Sequence, residues 1–163
     1  MTVVIGLGGN IGTREEIVER FRRAREALAA TRSARLYRSA PIGPAQAPFL
    51  NSAVSVRFDP APTPAELVAL VQEIERLLGR DRAREARFGP RPIDLDVLAW
   101  GDRAIDTPEL VVPHARLAER RFALLPLVDL VGEAWPLPGA RATAGELARR
   151  VVAQVVDVVS DEW

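Results

Sequence analysis

The sequence predicts an α+β fold: an antiparallel sheet with helices packed on it, followed by C-terminal additions. Three observations predict it. Short apolar or alternating runs recur at 3–5, 34–39, 49–58 and 93–100. Two longer segments between them open at Thr13 and Thr63 with capping-box patterns, Thr13 with Glu16 and Thr63 with Glu66. A Pro/Gly loop, Ala40–Pro48, separates the second run from the third and cannot be regular. The resulting order, β-α-β-β-α-β, is the ferredoxin-like unit, with its helices on one face of the sheet.

Each element has its own signal. Val3-Val4-Ile5 reads as a buried strand opening into a glycine-rich turn, Gly6-Leu7-Gly8-Gly9-Asn10-Ile11-Gly12. A helix follows from Arg14 to about Ala30, then a second strand at Ala34–Ser39 and a third, alternating, at Phe49–Phe58. Asp59–Pro62 is a turn. Thr63, Pro64 and Glu66 supply N-cap, N1 proline and N3 acid. Leu67, Leu70, Val71, Ile74, Leu77 and Leu78 then recur at helical spacing until Gly79 stops the helix. An arginine-rich irregular stretch runs to Pro92. Ile93–Trp100 is a strand, Pro113 opens another loop, and Phe122–Leu130 is a short apolar helix. Thr143 and Glu146 cap a last helix, and Val155–Val159 adds an edge strand. With no repeat, linker or low-complexity tract, residues 1–163 read as one domain.

Composition narrows the chemistry. The 163 residues are 48% hydrophobic and 27% charged, with 22 basic and 22 acidic residues balancing to zero. That balance opposes bulk electrostatic binding to nucleic acid or an anionic membrane. No cysteine is present, so disulfides, thiolate zinc sites and a thiol nucleophile are excluded. His114 is the one histidine, and every basic residue is arginine. Lysine chemistry is therefore absent, and charge must be stabilised by arginine, backbone dipoles or metal. Any metal site must be mainly oxygen-ligated, which selects magnesium or manganese. No apolar run reaches 18 residues and no signal-peptide pattern opens the chain.

The strongest chemical signal is Asp94-Leu95-Asp96. In a strand these carboxylates stand on one face, roughly 6.5–7 Å apart at Cα, while Leu95 points into the core. Two solvated aspartates on an open sheet face are the plain alternative. Six arginines lie in the sixteen residues from Arg76 to Arg91: Arg76, Arg80, Arg82, Arg84, Arg87 and Arg91. A helix C-terminus accounts for Arg76 and Arg80 but not for guanidinium groups continuing to a carboxylate pair. Forked cations beside a divalent ion suit a polyphosphate. The glycine run is not the dinucleotide fingerprint, since Ile11 breaks it. His114 is equally a structural residue or a phosphate contact. Phe49 and Phe122 are either core or the two faces of a clamp on a flat heterocycle, with Asn51 reading its edge.

Together these motifs resemble the 6-hydroxymethyl-7,8-dihydropterin pyrophosphokinase family of folate biosynthesis. The matching pieces are the glycine run, Pro41-Ile42-Gly43-Pro44, Pro48-Phe49-Leu50-Asn51, Gly79-Arg80 and Arg87-Phe88-Gly89-Pro90-Arg91-Pro92-Ile93-Asp94-Leu95-Asp96. Val112-Pro113-His114 and Arg120-Arg121-Phe122 complete them. They fall in family order over about Val3 to Leu130. The resemblance implies transfer of the β,γ-diphosphate of ATP to the pterin hydroxymethyl oxygen, with release of AMP. It implies Asp94 and Asp96 as ligands of two magnesium ions, with manganese as the alternative, and Arg80 and Arg91 as phosphate-attending catalytic groups. Gln72, Glu75, Arg82, Arg87, Phe88, His114 and Arg120 would line the ATP site. Phe49 and Phe122 would sandwich the pterin, and Asn51 would pair with its edge, helped by the loop around Ala40 and Ile42. Departures from the family pattern include Gly9, Phe88, Glu109, Ala115 and a shortened 44–49 loop.

Two other classes compete: a magnesium-dependent phosphoryl or nucleotidyl transferase without the pterin clamp, and an RNA-binding sheet. The second needs a basic sheet with central aromatics, whereas this strand presents carboxylates. The expectation is a cytoplasmic monomer acting on ATP and 6-hydroxymethyl-7,8-dihydropterin, with neither nucleic acid nor membrane as partner.

Overall fold

The computed structural model describes residues 1–86 and 88–163. The main sheet comprises β1 (Thr2–Gly9), β2 (Arg32–Ser33), β3 (Leu36–Ser39), β4 (Phe49–Arg57), β5 (Asp94–Trp100) and β8 (Val156–Ser160). Its order is β5-β1-β4-β3-β8, with β2 also paired to β4 and every pairing antiparallel. A small hairpin joins β6 (Ile105–Asp106) to β7 (Val111–Val112). The helices are α1 (Arg14–Ala27), α2 (Pro64–Leu77), α3 (Arg121–Val131) and α4 (Ala144–Arg150), with a 3-10 turn at Leu117–Glu119. The first four strands of the sheet path reproduce the expected ferredoxin-like order, and β8 extends it as the expected edge strand.

Strand alternation sorts side chains into two cores. Val3, Ile5 and Leu7 of β1 meet Ile17, Val18 and Phe21 of α1 and Leu67, Val71 and Ile74 of α2. On the opposite face Val4, Ala53 and Leu98 meet Leu124, Leu127 and Leu130 of α3 and Leu147 of α4. The two helices of the ferredoxin-like unit, α1 and α2, thus share one face as expected. The C-terminal additions supply a second helical layer, because a sheet face carrying Val4, Ala53, Leu98 and Ala99 must also be covered. A register shift between Val4 and Ile5 turns both Leu98 and Ala99 toward this second core.

The reading of the glycine run as a turn is corrected. Gly6, Gly8 and Gly9 lie inside β1, and only residues 10–12 make the turn. Gly6 is paired with Ala53 on one side and Asp96 on the other, and Gly8 with Asn51 and Asp94. A Cβ on Gly9 would lie 2.7 Å from the Pro92 carbonyl oxygen, and one on Gly6 3.1 Å from the Leu98 side chain. These glycines permit close approach inside a central strand, and their bare surface leaves room above the sheet.

The capping boxes at Thr13, Thr63 and Thr143 all form. Helix α1 ends three residues earlier than expected. Leu28 caps it, Ala29 takes a positive φ of 48°, and Thr31 N–H donates to Ser55 O at 2.9 Å. The second strand is split because Arg35 leaves the ladder. Its N–H donates to Asp129 Oδ2 on α3 (3.1 Å), while the Tyr37 hydroxyl donates to the same oxygen (2.8 Å). Trp163 covers this break from the helix α1 side. Its indole N–H donates to Ala34 O (2.8 Å) and Ser52 Oγ (3.0 Å), and its ring meets Phe21 edge-on at 5.7 Å.

Trp163→Ala removes an aromatic pair and these hydrogen bonds, each worth roughly 0.5–1.5 kcal/mol. The expected loss is about 2 kcal/mol in urea-unfolding free energy. An unchanged midpoint would show that the indole contributes nothing to closing the split strand.

Candidate active site

Strand β5 forms one margin of the sheet. Asp94 and Asp96 sit at its start opposite Gly8 and Gly6, sharing the face that those glycines leave open. Leu95, between them, is buried in the α1/α2 core as expected. Its N–H donates to Glu75 Oε1 at 2.7 Å, so α2 reaches β5 at the residue separating the two carboxylates.

Glu75 is 1% exposed and organises the positive charge. Its Oε1 also accepts from Arg80 Nη1 (2.6 Å), and its Oε2 from Arg82 Nε (2.9 Å) and Nη2 (2.7 Å). Gly79, at φ 95°, turns the chain back after α2, and Arg80 N–H returns to Glu75 O at 2.9 Å. The buried Arg80 guanidinium also donates through Nη1 to Asp94 Oδ1, and through Nε and Nη2 to Glu85. Arg91 Nη1 donates to Asp94 Oδ2 at 3.0 Å. Asp94 is thus held by two guanidinium groups. Among the described residues Asp96 has the ion pair to Arg120 Nη1, at 3.6 Å, too long for a hydrogen bond.

The titrating groups record this imbalance. Burial, and next the negative charge of Asp94, push the Asp96 carboxyl up to about 6 against the pull of Arg120, Arg80 and Arg91. Burial raises Glu75, opposed by the Leu95 N–H and by Arg80 and Arg82. Burial works against the Arg80 charge, but Asp94, Glu85 and Glu75 outweigh it and leave Arg80 raised. Burial lowers Arg120, whose buried Nε meets no hydrogen-bond partner among the described residues. His114 is lowered by burial and then by Arg120. Its Nδ1 accepts the Arg116 N–H (3.1 Å), which leaves the proton of the neutral ring on Nε2.

Two clefts share Asp96. One lies above β1 and β4, and all five expected pterin residues, Ala40, Ile42, Phe49, Asn51 and Phe122, line it. Phe88, Arg91, Asp94 and Arg120 complete its charged end. The rings of Phe49 and Phe122 do not stack on each other; among the described residues the ring–ring contact is Phe21 with Trp163. The second cleft lies between α2, β5 and the β6–β7 hairpin, and carries Gln72, Arg82 and His114, with Glu109 and Ala115 on its wall. Glu75 and Arg80 line neither cleft; they stand behind Asp94 and Arg82. Arg87 lies outside the described residues.

The donor set suits magnesium. Among the described residues no third histidine or carboxylate joins the aspartate pair as a metal cage. Magnesium characteristically takes one or two carboxylates and completes its shell with phosphate oxygens and water.

Some residues escaped sequence reasoning. Asn10 is 5% exposed and ties together the two loops flanking the first cleft. Its Nδ2 donates to Gln46 Oε1 (2.9 Å) and Ala47 O (3.0 Å), while its Oδ1 accepts the Arg91 N–H (2.9 Å). Gln46 Nε2 passes on to Phe88 O at 2.7 Å. Arg116 stands over the Phe88 ring at 5.8 Å, at the cleft mouth. The position of Asn10 at the end of a strand among glycines was the available signal; nothing marked Gln46 or Arg116.

The strand order and the arginine-walled carboxylate pair define a ferredoxin-like α+β protein with its site on an outer strand. A family model described as 7,8-dihydro-6-hydroxymethylpterin-pyrophosphokinase matches residues 4–132, and the chain belongs to that family. It is 44% identical over 138 residues to a mitochondrial folate synthesis bifunctional protein of Arabidopsis thaliana, covering 81% of this chain and 24% of that one. It is 41% identical over 130 residues to the 2-amino-4-hydroxy-6-hydroxymethyldihydropteridine pyrophosphokinase of Bacillus subtilis, covering 77% of this chain and 75% of that one. The chain therefore spans about a quarter of the plant bifunctional relatives and three quarters of the bacterial one. A crystal structure of Plasmodium falciparum HPPK-DHPS superposes with a TM-score of 0.71 at 15% identity, over 93% of this chain and 45% of that one. The likeness in fold reaches beyond the sequence match.

Two outcomes follow from the electrostatics. Glu75→Ala leaves Leu95 N–H and two guanidinium groups short of a partner, and is expected to cost about 3–5 kcal/mol in chemical denaturation. Glu75→Gln, which can keep an acceptor for Leu95, should cost less. Asp96 with its carboxyl raised is ionised above about pH 6. Divalent-ion binding titrated with a non-hydrolysable ATP analogue should therefore weaken roughly tenfold per unit as pH falls below that value. Flat affinity from pH 7 to 5 would contradict this.

Proposed function

We propose that this chain transfers the β,γ-diphosphate of ATP to the hydroxymethyl oxygen of 6-hydroxymethyl-7,8-dihydropterin and releases AMP. The observation that carries the reading is Asp96 standing on the shared wall of two clefts. One cleft has the aromatic and amide lining that suits a flat heterocycle; the other is flanked by Arg82, Gln72 and His114. The hydroxymethyl oxygen bonds to the β-phosphorus, the bond from that phosphorus to the α,β-bridging oxygen breaks, and AMP leaves with that oxygen. The acceptor hydroxyl gives up its proton. No protein nucleophile is required, which suits a chain without cysteine or lysine.

Asp94 and Asp96 would hold magnesium, two ions in this reading with manganese as a substitute. The metal would neutralise phosphate charge and orient the reacting oxygens. The chain's own groups do the rest. Arg80 holds Asp94 from behind, and Arg91 holds it from the cleft side and presents a guanidinium edge to phosphate oxygens. Arg120 presents its guanidinium beside Asp96, while Arg82, Gln72 and His114 engage the nucleotide. Phe88 lines the charged end of the first cleft, and Arg87, outside the described residues, is assigned to the ATP site by the family resemblance alone. Phe49 and Phe122 clamp the pterin, Asn51 hydrogen-bonds its edge, and Ala40 and Ile42 shield it from water. Residues 1–163 act as one catalytic unit, a cytoplasmic monomer. Among the described residues no helix is long and apolar enough to cross a membrane.

The test mixes the protein, Mg-ATP and the reduced hydroxymethylpterin and resolves the nucleotide product. AMP formed in step with pterin diphosphate is expected, and ADP or free phosphate would refute diphosphoryl transfer. Asp96→Ala should lower turnover by roughly 10²–10³-fold while its unfolding midpoint stays near that of the parent. Near-full turnover at low magnesium would remove Asp96 from the assigned machinery.

A further inference from the structure

Helix α3 begins immediately after Arg120, and it begins without a cap of its own. Arg120 occupies the cap position at φ −123° and ψ 94°, and its side chain makes no capping hydrogen bond. It is engaged elsewhere: Nη1 lies 3.6 Å from Asp96, and the guanidinium stands 5.8 Å from the centre of the Phe122 ring. The main-chain groups on either side of Arg120 need partners from another part of the chain.

One side chain supplies both. Gln154 Oε1 accepts the Arg121 N–H at 3.0 Å, and Gln154 Nε2 donates to Glu119 O at 2.7 Å. The Arg121 guanidinium closes the ring by donating through Nη1 to Gln154 O (2.9 Å) and Val152 O (3.2 Å). Arg120 is therefore bracketed: the end of the 3-10 turn on one side and the first helical N–H on the other are fastened to one amide. Gln154 is itself held at both ends of its turn. On one side α4 packs into the core beneath α3; on the other, β8 is hydrogen-bonded to β3. Val152, Gln154, α4 and β8 lie beyond residues 4–132, the span of the family match, whereas Arg120 and Arg121 lie within it.

From this geometry we propose that Gln154 is a positioning residue: it acts as the missing cap of α3 and thereby sets the pose of Arg120, and with it Phe122, against Asp96. Neither Gln154 nor Arg121 lines a cleft, so any effect on the reaction passes through the two residues they hold. Orientation matters here because a guanidinium recognises phosphate oxygens as a planar fork. A displacement of about 1 Å can cost up to ~100-fold in rate. The C-terminal segment is then part of the site's machinery, coupled to it by an amide. The proposal rests on the reading of the site given above, and its test separates the two.

The experiment is a double-mutant cycle in the full-length chain with Gln154→Ala and Arg120→Ala. It is read twice: on turnover to AMP, and on calorimetric binding of α,β-methylene-ATP with magnesium, which needs no chemistry. Gln154→Ala is expected to lower kcat about tenfold. Arg120→Ala should cost several-fold less in the Gln154→Ala background than in the parent, in both readouts. Gln154→Glu keeps the acceptor for Arg121 N–H and loses the donor for Glu119 O, so its kcat should fall between the two. Amide exchange should show lost protection at Arg121 with residues 124–131 still protected. Costs that simply multiply, an unchanged kcat, or exchange spreading through the whole of α3 would overturn the positioning role. Should the parent make no AMP, the functional reading fails, and the cycle on analogue binding still decides whether Gln154 and Arg120 are coupled.

Discussion

A single buried carboxylate, Glu75, governs where charge stands in this protein. It is placed on α2 by the helical spacing of Leu67, Val71 and Ile74, which turn the same side of the helix to the core. An acid in that setting is costly unless every lone pair is used. Here the Leu95 N–H, Arg80 and Arg82 use them. In return Arg80 is fixed behind Asp94 and Arg82 is drawn to the second cleft. The main-chain bond to Leu95 registers α2 against the strand that carries both aspartates. One polar group thereby links helix, strand and arginine loop.

The sheet contributes the complementary space. Gly6 and Gly8 face Asp96 and Asp94 across the β1–β5 ladder, and side chains there would fill the volume above the sheet. Leu98 borders the same volume on the second-core side. The open floor of the first cleft and the close approach of neighbouring strands therefore come from the same residues.

Much of this was legible in the sequence. The three threonine caps mark true helix starts because the capping box is local chemistry, needing nothing beyond four residues. The Asp94/Asp96 pair was legible because a strand's period of two places i and i+2 together regardless of context. Five residues assigned to the pterin through family resemblance do converge on one cleft. What was hidden depends on distant partners. The glycine run looked like a turn because glycine permits turns, and only the neighbouring strands reveal that it is needed for close approach. The split of the second strand is caused by Asp129, over ninety residues away. Asn10 and Gln154 are ordinary polar residues until the fold brings a loop or an uncapped helix to them.

The two aspartates, equivalent in sequence, are unequal in the folded chain. Asp94 is hydrogen-bonded by Arg80 and Arg91, whereas Asp96 is opposed at a distance by Arg120 and raised by burial beside its charged neighbour. Positive charge is therefore satisfied at one carboxylate and deficient at the other. In the proposed reading, a cation arriving with a polyphosphate would find its strongest electrostatic demand at Asp96, where the two clefts meet. Its phosphate oxygens would compete with Asp94 for the Arg91 guanidinium, which lines the first cleft. Such an exchange would require little reorganisation, since Arg80, itself held by Glu75 and Glu85, keeps Asp94 in place from behind. Ligand and metal would then bind better together than either one alone, because each would relieve a charge that the other leaves exposed.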